Sequence, residues 1–315
     1  MARWLAYRIG GAAVTLFVAS LVIYGALQLV PGDPVIALSG GRRLTPDQIE
    51  TLREEFGLNR SFVGGYLHWL GGALHFDFGN SLQYGSSVTS LLSSRLAVSA
   101  VLIAYSATLT VVIGLAVALI SAARGGVADR IGLYVSSITS AMPPFVSAVV
   151  LLSVFSVKLG WFPAVGGGEG AVDRIYHLTL PAVALAIGSF GVLARIGRAT
   201  FLEELTREHV EVARSRGVKE SQILRRHVFR NSLGPLATLI ALLLSSLFVG
   251  TAVAETAFGL NGIGALLVQS VARRDLPVVQ AIALVAVALF VVTSTVVDLL
   301  MPLIDPRVKI RKVTS

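Results

Sequence analysis

The chain has 315 residues, no cysteine, 54% apolar residues and only 14% charged ones. With a strongly positive mean hydropathy, this excludes disulfide-stapled domains, thiolate metal sites and the two soluble domains that length alone would allow. The formal charge of +8 is spread over short polar intervals between apolar runs, a pattern of bilayer orientation and not of a nucleic-acid surface.

Residues 9–30 carry no formal charge over 22 positions, about 33 Å as a helix and enough to span. Arg3 and Arg8 precede them, so residues 1–30 read as an uncleaved first transmembrane helix with a cytoplasmic N-terminus. Pro31-Gly32-Asp33-Pro34 stops that helix, and residues 31–95 are too polar to cross. This extracytoplasmic segment opens a helix at Thr45-Pro46-Asp47-Gln48, where a capping residue precedes a proline at the first helical position. Ile49, Leu52 and Phe56 keep one apolar face, and Gly57 closes it. Trp69, Phe76 and Phe78 follow among glycines, as suits interfacial helices in the headgroup zone or a small packed outer lobe.

Residues 96–123 form the second span. The third, 131–157, is interrupted by Met142-Pro143-Pro144, a kink that fits the edge of a translocation path or a purely structural bend. A glycine-rich outer loop leads to the fourth span, 178–200. Its GGGEG at 166–170 lacks the Lys-Ser/Thr pair of a phosphate loop. The fifth span is 233–255, with Glu255 at its far end. An outer loop over 256–275 leads to the sixth, 276–301, which contains Asp298. Residues 304–315 are a basic cytoplasmic tail. This arrangement places 17 of the 26 Lys and Arg residues on the side of both termini and 9 on the other, the expected inside excess. Glu255 and Asp298 are costly in hydrocarbon and are candidate pathway or interface residues; a helix-end carboxylate bonded to the next loop is the structural alternative for Glu255.

Residues 204–230 form the long polar interval of the second half. Helix formers on both sides of Gly217 predict a helix, a glycine C-cap and a second helix. Glu208, Glu211, Ala213, Arg214 and Gly217 are its candidate coupling residues. Glu211 either meets a partner or pairs locally with Arg207 or Arg214, while Arg225, Arg226 and Arg230 are placed to anchor the fifth span at anionic lipid. His68, His75, His177, His209 and His227 have no ligand spacing. No Walker lysine, serine elbow or paired-carboxylate hydrolase motif is present, so neither catalysis nor a bound metal or cofactor is expected.

EVARSRG at 211–217 resembles the EAA signature of binding-protein-dependent ABC importer permeases, with Val212 in place of an alanine and Gly234-Pro235 in place of the usual Leu-Pro. The likeness extends along the chain: PGDP at 31–34, FDFGNS at 76–81, MPPF at 142–145, HLTLPA at 177–182, RHVFRNSL at 226–233, AETAFGLNGIG at 254–264 and RRDLPVVQ at 273–280. Asn261 stands where the family more often has proline. These pieces are similar to the B-type permease subunit of dipeptide/oligopeptide (peptide/nickel) ABC importers. The resemblance implies an all-α polytopic membrane protein with six transmembrane helices, the type I ABC-importer permease fold and a permease core over 96–303. It implies a place in the bacterial inner membrane. It also implies partners: a paralogous C-type permease, two ATP-binding subunits or one fused chain on which ATP-Mg acts, and an extracytoplasmic solute-binding protein facing Trp69, Phe76 and Phe78. Substrates of such machinery are di- and oligopeptides, with nickel chelates, haem or another small solute as alternatives. An ion-coupled secondary transporter is the rival of a different class.

Overall fold

A computed structural model describes residues 2–28, 45–47, 50 and 61–304, with side chains over 7–26, 45–47, 50 and 61–296. Among the described residues the named elements are all helical: α1 (Ala2–Gln28), α2 (Phe62–Leu74), α3 (Val88–Arg124), α4 (Gly126–Ser140), α5 (Pro144–Leu151), α6 (Gly170–Leu205), α7 (Glu208–Ser215), α8 (Arg230–Ala257), α9 (Ile263–Ala272) and α10 (Leu276–Ile304). Two segments wind more widely as π-helix, Leu152–Lys158 after α5 and Ile223–Phe229 before α8. Of the predicted helix at 45–57, Thr45, Pro46, Asp47 and Glu50 are described, and all but Thr45 are helical; the remainder lies outside the described residues.

Among the described residues five helices are long and apolar enough to cross a bilayer, and α4 with α5 and its continuation to Lys158 makes a sixth crossing if that bent pair is one span. The bend is 101°, far more than the kink the sequence suggests. Its cause is the proline pair. A residue before proline is excluded from helical backbone, and Pro143 accordingly sits extended at φ −64°, ψ 145°, while Pro144 starts α5 at its first position. Helix α6 also begins earlier than expected, at Gly170, and carries Pro181 within it. The apolar run 263–268, read from sequence as loop, is the short helix α9. Ten residues are too few to span, and Gly262 and Gly264 disguise its start.

The chain divides into two compact units, Met1–Ala97 with Gly262–Val291, and Val98–Asn261 with Val292–Ser315. In the second, α4, α5 and α8 pack on α6. Helix α6 buries 56% of its apolar stretch within the chain, against 11–28% for the other spans, so it is the central helix and the others keep apolar surface for lipid or partners. Close approach rests on small residues, as in other membrane bundles. A Cβ on Gly191 would lie 2.3 Å from Thr139 Oγ1, 2.7 Å from Ser140 N and 2.9 Å from Ser136 O, so α4 reaches its broken end directly on the α6 backbone. The head of α4 is tied to the same helix by Asp129, which takes a bidentate pair from Arg198, with Nη2–Oδ2 at 2.6 Å. In the first unit, Tyr24 of α1 packs against Phe62, Tyr66 and Trp69 of α2 with ring centres 5.5–5.7 Å apart. Ser20 bonds the Tyr66 hydroxyl at 2.9 Å.

Candidate functional site

The polar interval after α6 folds as a turn, a short helix and a glycine cap. Helix α7 is amphipathic: Val210 and Ala213 are buried, while Glu208 and Glu211 point out to solvent. Its end is a Schellman motif. Val218 N donates to Ala213 O at 3.1 Å and Gly217 N donates to Arg214 O at 3.0 Å. Gly217 has φ +76°, with no atom within 4 Å of the position a Cβ would take. Backbone handedness, not space, therefore demands glycine. The second helix predicted after Gly217 is not separate. Residues 220–222 run into the π-helical turn 223–229 and on into α8, so the cap connects α7 almost directly to a span.

The inner face of this element belongs to the transmembrane core. Val210, Ala213, Ile223 and Val228 share one buried cluster with Ala118 of α3, Leu193 and Phe201 of α6, and Leu236 of α8. Phe229 stacks on Phe201 at 6.1 Å. On the outer face Arg207 and Arg214 are already engaged. Arg207 pairs with Glu203 at 3.2 Å and with Glu204 at 2.9 Å. Arg214 pairs with Glu220 at 2.6 Å, whose hydrogen bonds push the guanidinium pKa further up. Glu211 takes neither arginine, and Glu208, Glu211, Arg216, Lys219, Arg225, Arg226 and Arg230 make no ion pair among the described residues. A groove of about 570 Å³ runs beside α7, lined by Glu208, His209, Val212, Ala213, Arg216, Val218 and His227.

Sequence reasoning missed the support of this helix. Glu204, 7% exposed, holds both Arg207 and His209, the latter at 3.3 Å, and Asn231 reaches His209 at 3.2 Å. Glu204 stands three residues after Phe201 and next to Leu205, on the apolar stripe, and a charge on that stripe was the available signal.

The other candidate residues lie apart from this element in sequence. Met142 is half-buried and Pro143 and Pro144 are exposed at the α4–α5 break; Met142 O would sit 3.4 Å from a Cβ on Gly188. Glu255 is fully buried and accepts a 2.6 Å hydrogen bond from Ser99 of α3. The Asp298 side chain lies outside the described residues. Of the three aromatic residues expected to face a binding protein, Phe76 is 75% exposed, at φ +58°. Phe78 is buried, at 8% exposure. Trp69 is half-buried against Tyr24 and Tyr66.

Fold and site together define a polytopic helical membrane protein whose exposed amphipathic helix is built into the core of its spans. Residues 110–310 match the family described as "Binding-protein-dependent transport system inner membrane component", and residues 1–103 match the N-terminal membrane component of the same systems. The chain belongs to this family of bacterial inner-membrane permeases. Among curated relatives, it is 33% identical over 310 residues to the glutathione transport system permease protein GsiC of Pectobacterium atrosepticum, covering 98% of this chain and 99% of that one. It is 34% identical over 298 residues to the oligopeptide transport system permease protein AppB of Bacillus subtilis, covering 92% and 94%. Solved structures with the same fold include the MetNI methionine ABC transporter in inward-facing conformations (TM-score 0.54, 18% identity, 68% of this chain and 96% of that one). An amino acid ABC transporter with histidines matches similarly (TM-score 0.54, 19% identity, 68% and 94%).

Proposed function

We propose that this chain is the B-type permease subunit of an ATP-driven importer of di- and oligopeptides, forming half of the translocation pathway. Its termini face the cytoplasm, and so does α7. The observation that carries this reading is the shared core of α7 and the spans. A force applied to Glu208 and Glu211 reaches α6 and α8 through Val210, Ala213 and Ile223 without an intervening flexible linker. The free carboxylates and cations around the 570 Å³ groove set register and partner choice with an ATP-binding subunit. ATP-driven closure of two such subunits moves α7, the bundle opens outward, solute passes from the extracytoplasmic binding protein, and hydrolysis resets the bundle. Peptides are proposed as substrates because the relatives bear peptide and glutathione transport names.

The test is reconstitution of the chain with its paralogous permease and ATP-binding subunits in liposomes, with a solute-binding protein outside. ATP-dependent uptake of a labelled dipeptide is expected. Uptake by the chain alone on an ion gradient, without ATP, would refute the reading in favour of a secondary transporter.

A further inference from the structure

In the first unit, two segments far apart in sequence are fastened by one carboxylate. Asp275, fully buried, accepts hydrogen bonds from Ser81 Oγ at 2.5 Å, Leu82 N at 3.1 Å and Gln83 N at 3.3 Å. Ser81 Oγ in turn accepts from Tyr84 N at 2.9 Å, Gln83 Nε2 donates to Arg273 O at 3.2 Å, and the Tyr84 hydroxyl donates to Gln269 at 3.0 Å. The turn 81–84 is thereby fixed on the end of α9, because a buried carboxylate that lost these donors would be left unsatisfied.

Tyr84 carries two cations on this fixed base. The guanidinium carbons of Arg95 and Arg273 lie 5.7 and 5.9 Å from its ring centre. Neither arginine makes an ion pair among the described residues. The carboxylate beneath the turn, Asp275, is already used by Ser81, Leu82 and Gln83. Two like charges beside one ring repel, and the ring quadrupole offsets only part of that. Arg273 and its neighbours Gln83, Gly85 and Arg274 are exposed, and Tyr84 and Arg95 are half-buried, so the platform's pair of cations is accessible from one side. A fixed, accessible, doubly cationic surface suits a carboxylate presented on the face of a protein.

We propose that Arg95, Tyr84 and Arg273 form a docking point for an acidic element of the extracytoplasmic solute-binding protein. This rests on the importer reading, which puts the platform on the outer side. Held by Asp275, it receives the partner without reordering, so the partner's charge sets affinity and encounter rate.

The experiment uses the full chain, co-expressed with its importer subunits, in nanodiscs of zwitterionic lipid, and labelled hexaglutamate as probe with hexalysine as the sign control. Hexaglutamate binding should weaken by roughly tenfold or more in Arg95→Glu/Arg273→Glu, and should fall with salt in the wild type. The basic residues of the 204–230 interval are common to both proteins, so the difference isolates this face. Arg273→Gln, at an exposed helix end, keeps the test valid if the double variant fails to fold; roughly a threefold loss is expected. Equal hexaglutamate affinity in wild type and variants would overturn the proposal. So would displacement of hexaglutamate by an excess of free dipeptide, which would mean that the platform takes solute carboxylates. Co-purification of the ATP-binding subunits is scored separately. If they co-purify and hexaglutamate does not discriminate, the docking point alone is wrong. If they fail to co-purify, the importer reading falls and takes the partner assignment with it.

Discussion

Gly217 offers a graded test of coupling, because the structure separates its two constraints. Its φ of +76° disfavours every L side chain, yet nothing lies within 4 Å of a Cβ placed there. Alanine therefore costs about 1–2 kcal/mol from handedness alone, roughly a 5- to 30-fold loss in the population of the native cap. Asparagine, which tolerates this region, costs less. Proline fixes φ at about −65° and removes the donor that Gly217 offers to Arg214 O at 3.0 Å, so the cap cannot form. Dipeptide uptake and stimulated ATP hydrolysis should rank glycine, asparagine, alanine, valine, proline. Membrane insertion, read by protease accessibility, should stay constant across the series. Wild-type uptake by Gly217→Pro would refute the reasoning, and so would a ranking by side-chain size instead of left-handed propensity.

Three further outcomes follow from contacts described above. Gly191→Ala drives a Cβ to 2.7 Å from Ser140 N, an overpacking of about 1–3 kcal/mol. It should lower the thermal midpoint in detergent, whereas Gly71→Ala, which meets nothing within 4 Å, should not. Arg198→Lys keeps the charge but loses the two-pronged pair with Asp129, costing about 1 kcal/mol; an unchanged midpoint would count against a stabilising pair. Glu211→Gln breaks no hydrogen bond of the exposed helix α7 and loses only a screened attraction to Arg214, so its thermal midpoint should stay close to the wild type while recovery of ATP-binding subunits in pull-downs drops; full recovery would place the partner's contact elsewhere.

What the residues reveal before folding depends on how local the cause is. The spans are legible because the bilayer demands length and apolarity within one segment. The cap at Gly217 is legible because a left-handed residue after a helix selects glycine. The proline pair announces a break, but its 101° angle depends on where α5 packs against α6, which no local rule supplies. Helix α9 is disguised by its shortness, and the π-helical turn at 223–229 by ordinary helix-forming residues. Ser99 with Glu255, and Ser81 with Asp275, join positions 156 and 194 residues apart, beyond any periodicity. Phe78 and Phe76 lie two positions apart and are equally aromatic, yet one is buried and the other exposed; only packing separates them.

The unit fastened by Asp275 is assembled from the beginning of the chain and from a piece near its end, Met1–Ala97 and Gly262–Val291. At about 5–20 residues per second, a ribosome needs roughly 10–40 seconds between making Ser81 and making Asp275, 194 residues later. Throughout that interval the nascent polypeptide holds an unfinished lobe. Any molecule that ends before residue 275, for instance by a premature stop within the fifth span, lacks the carboxylate that locks it. In such a chain the 81–84 turn is left without the acceptor that fixes it in the complete one.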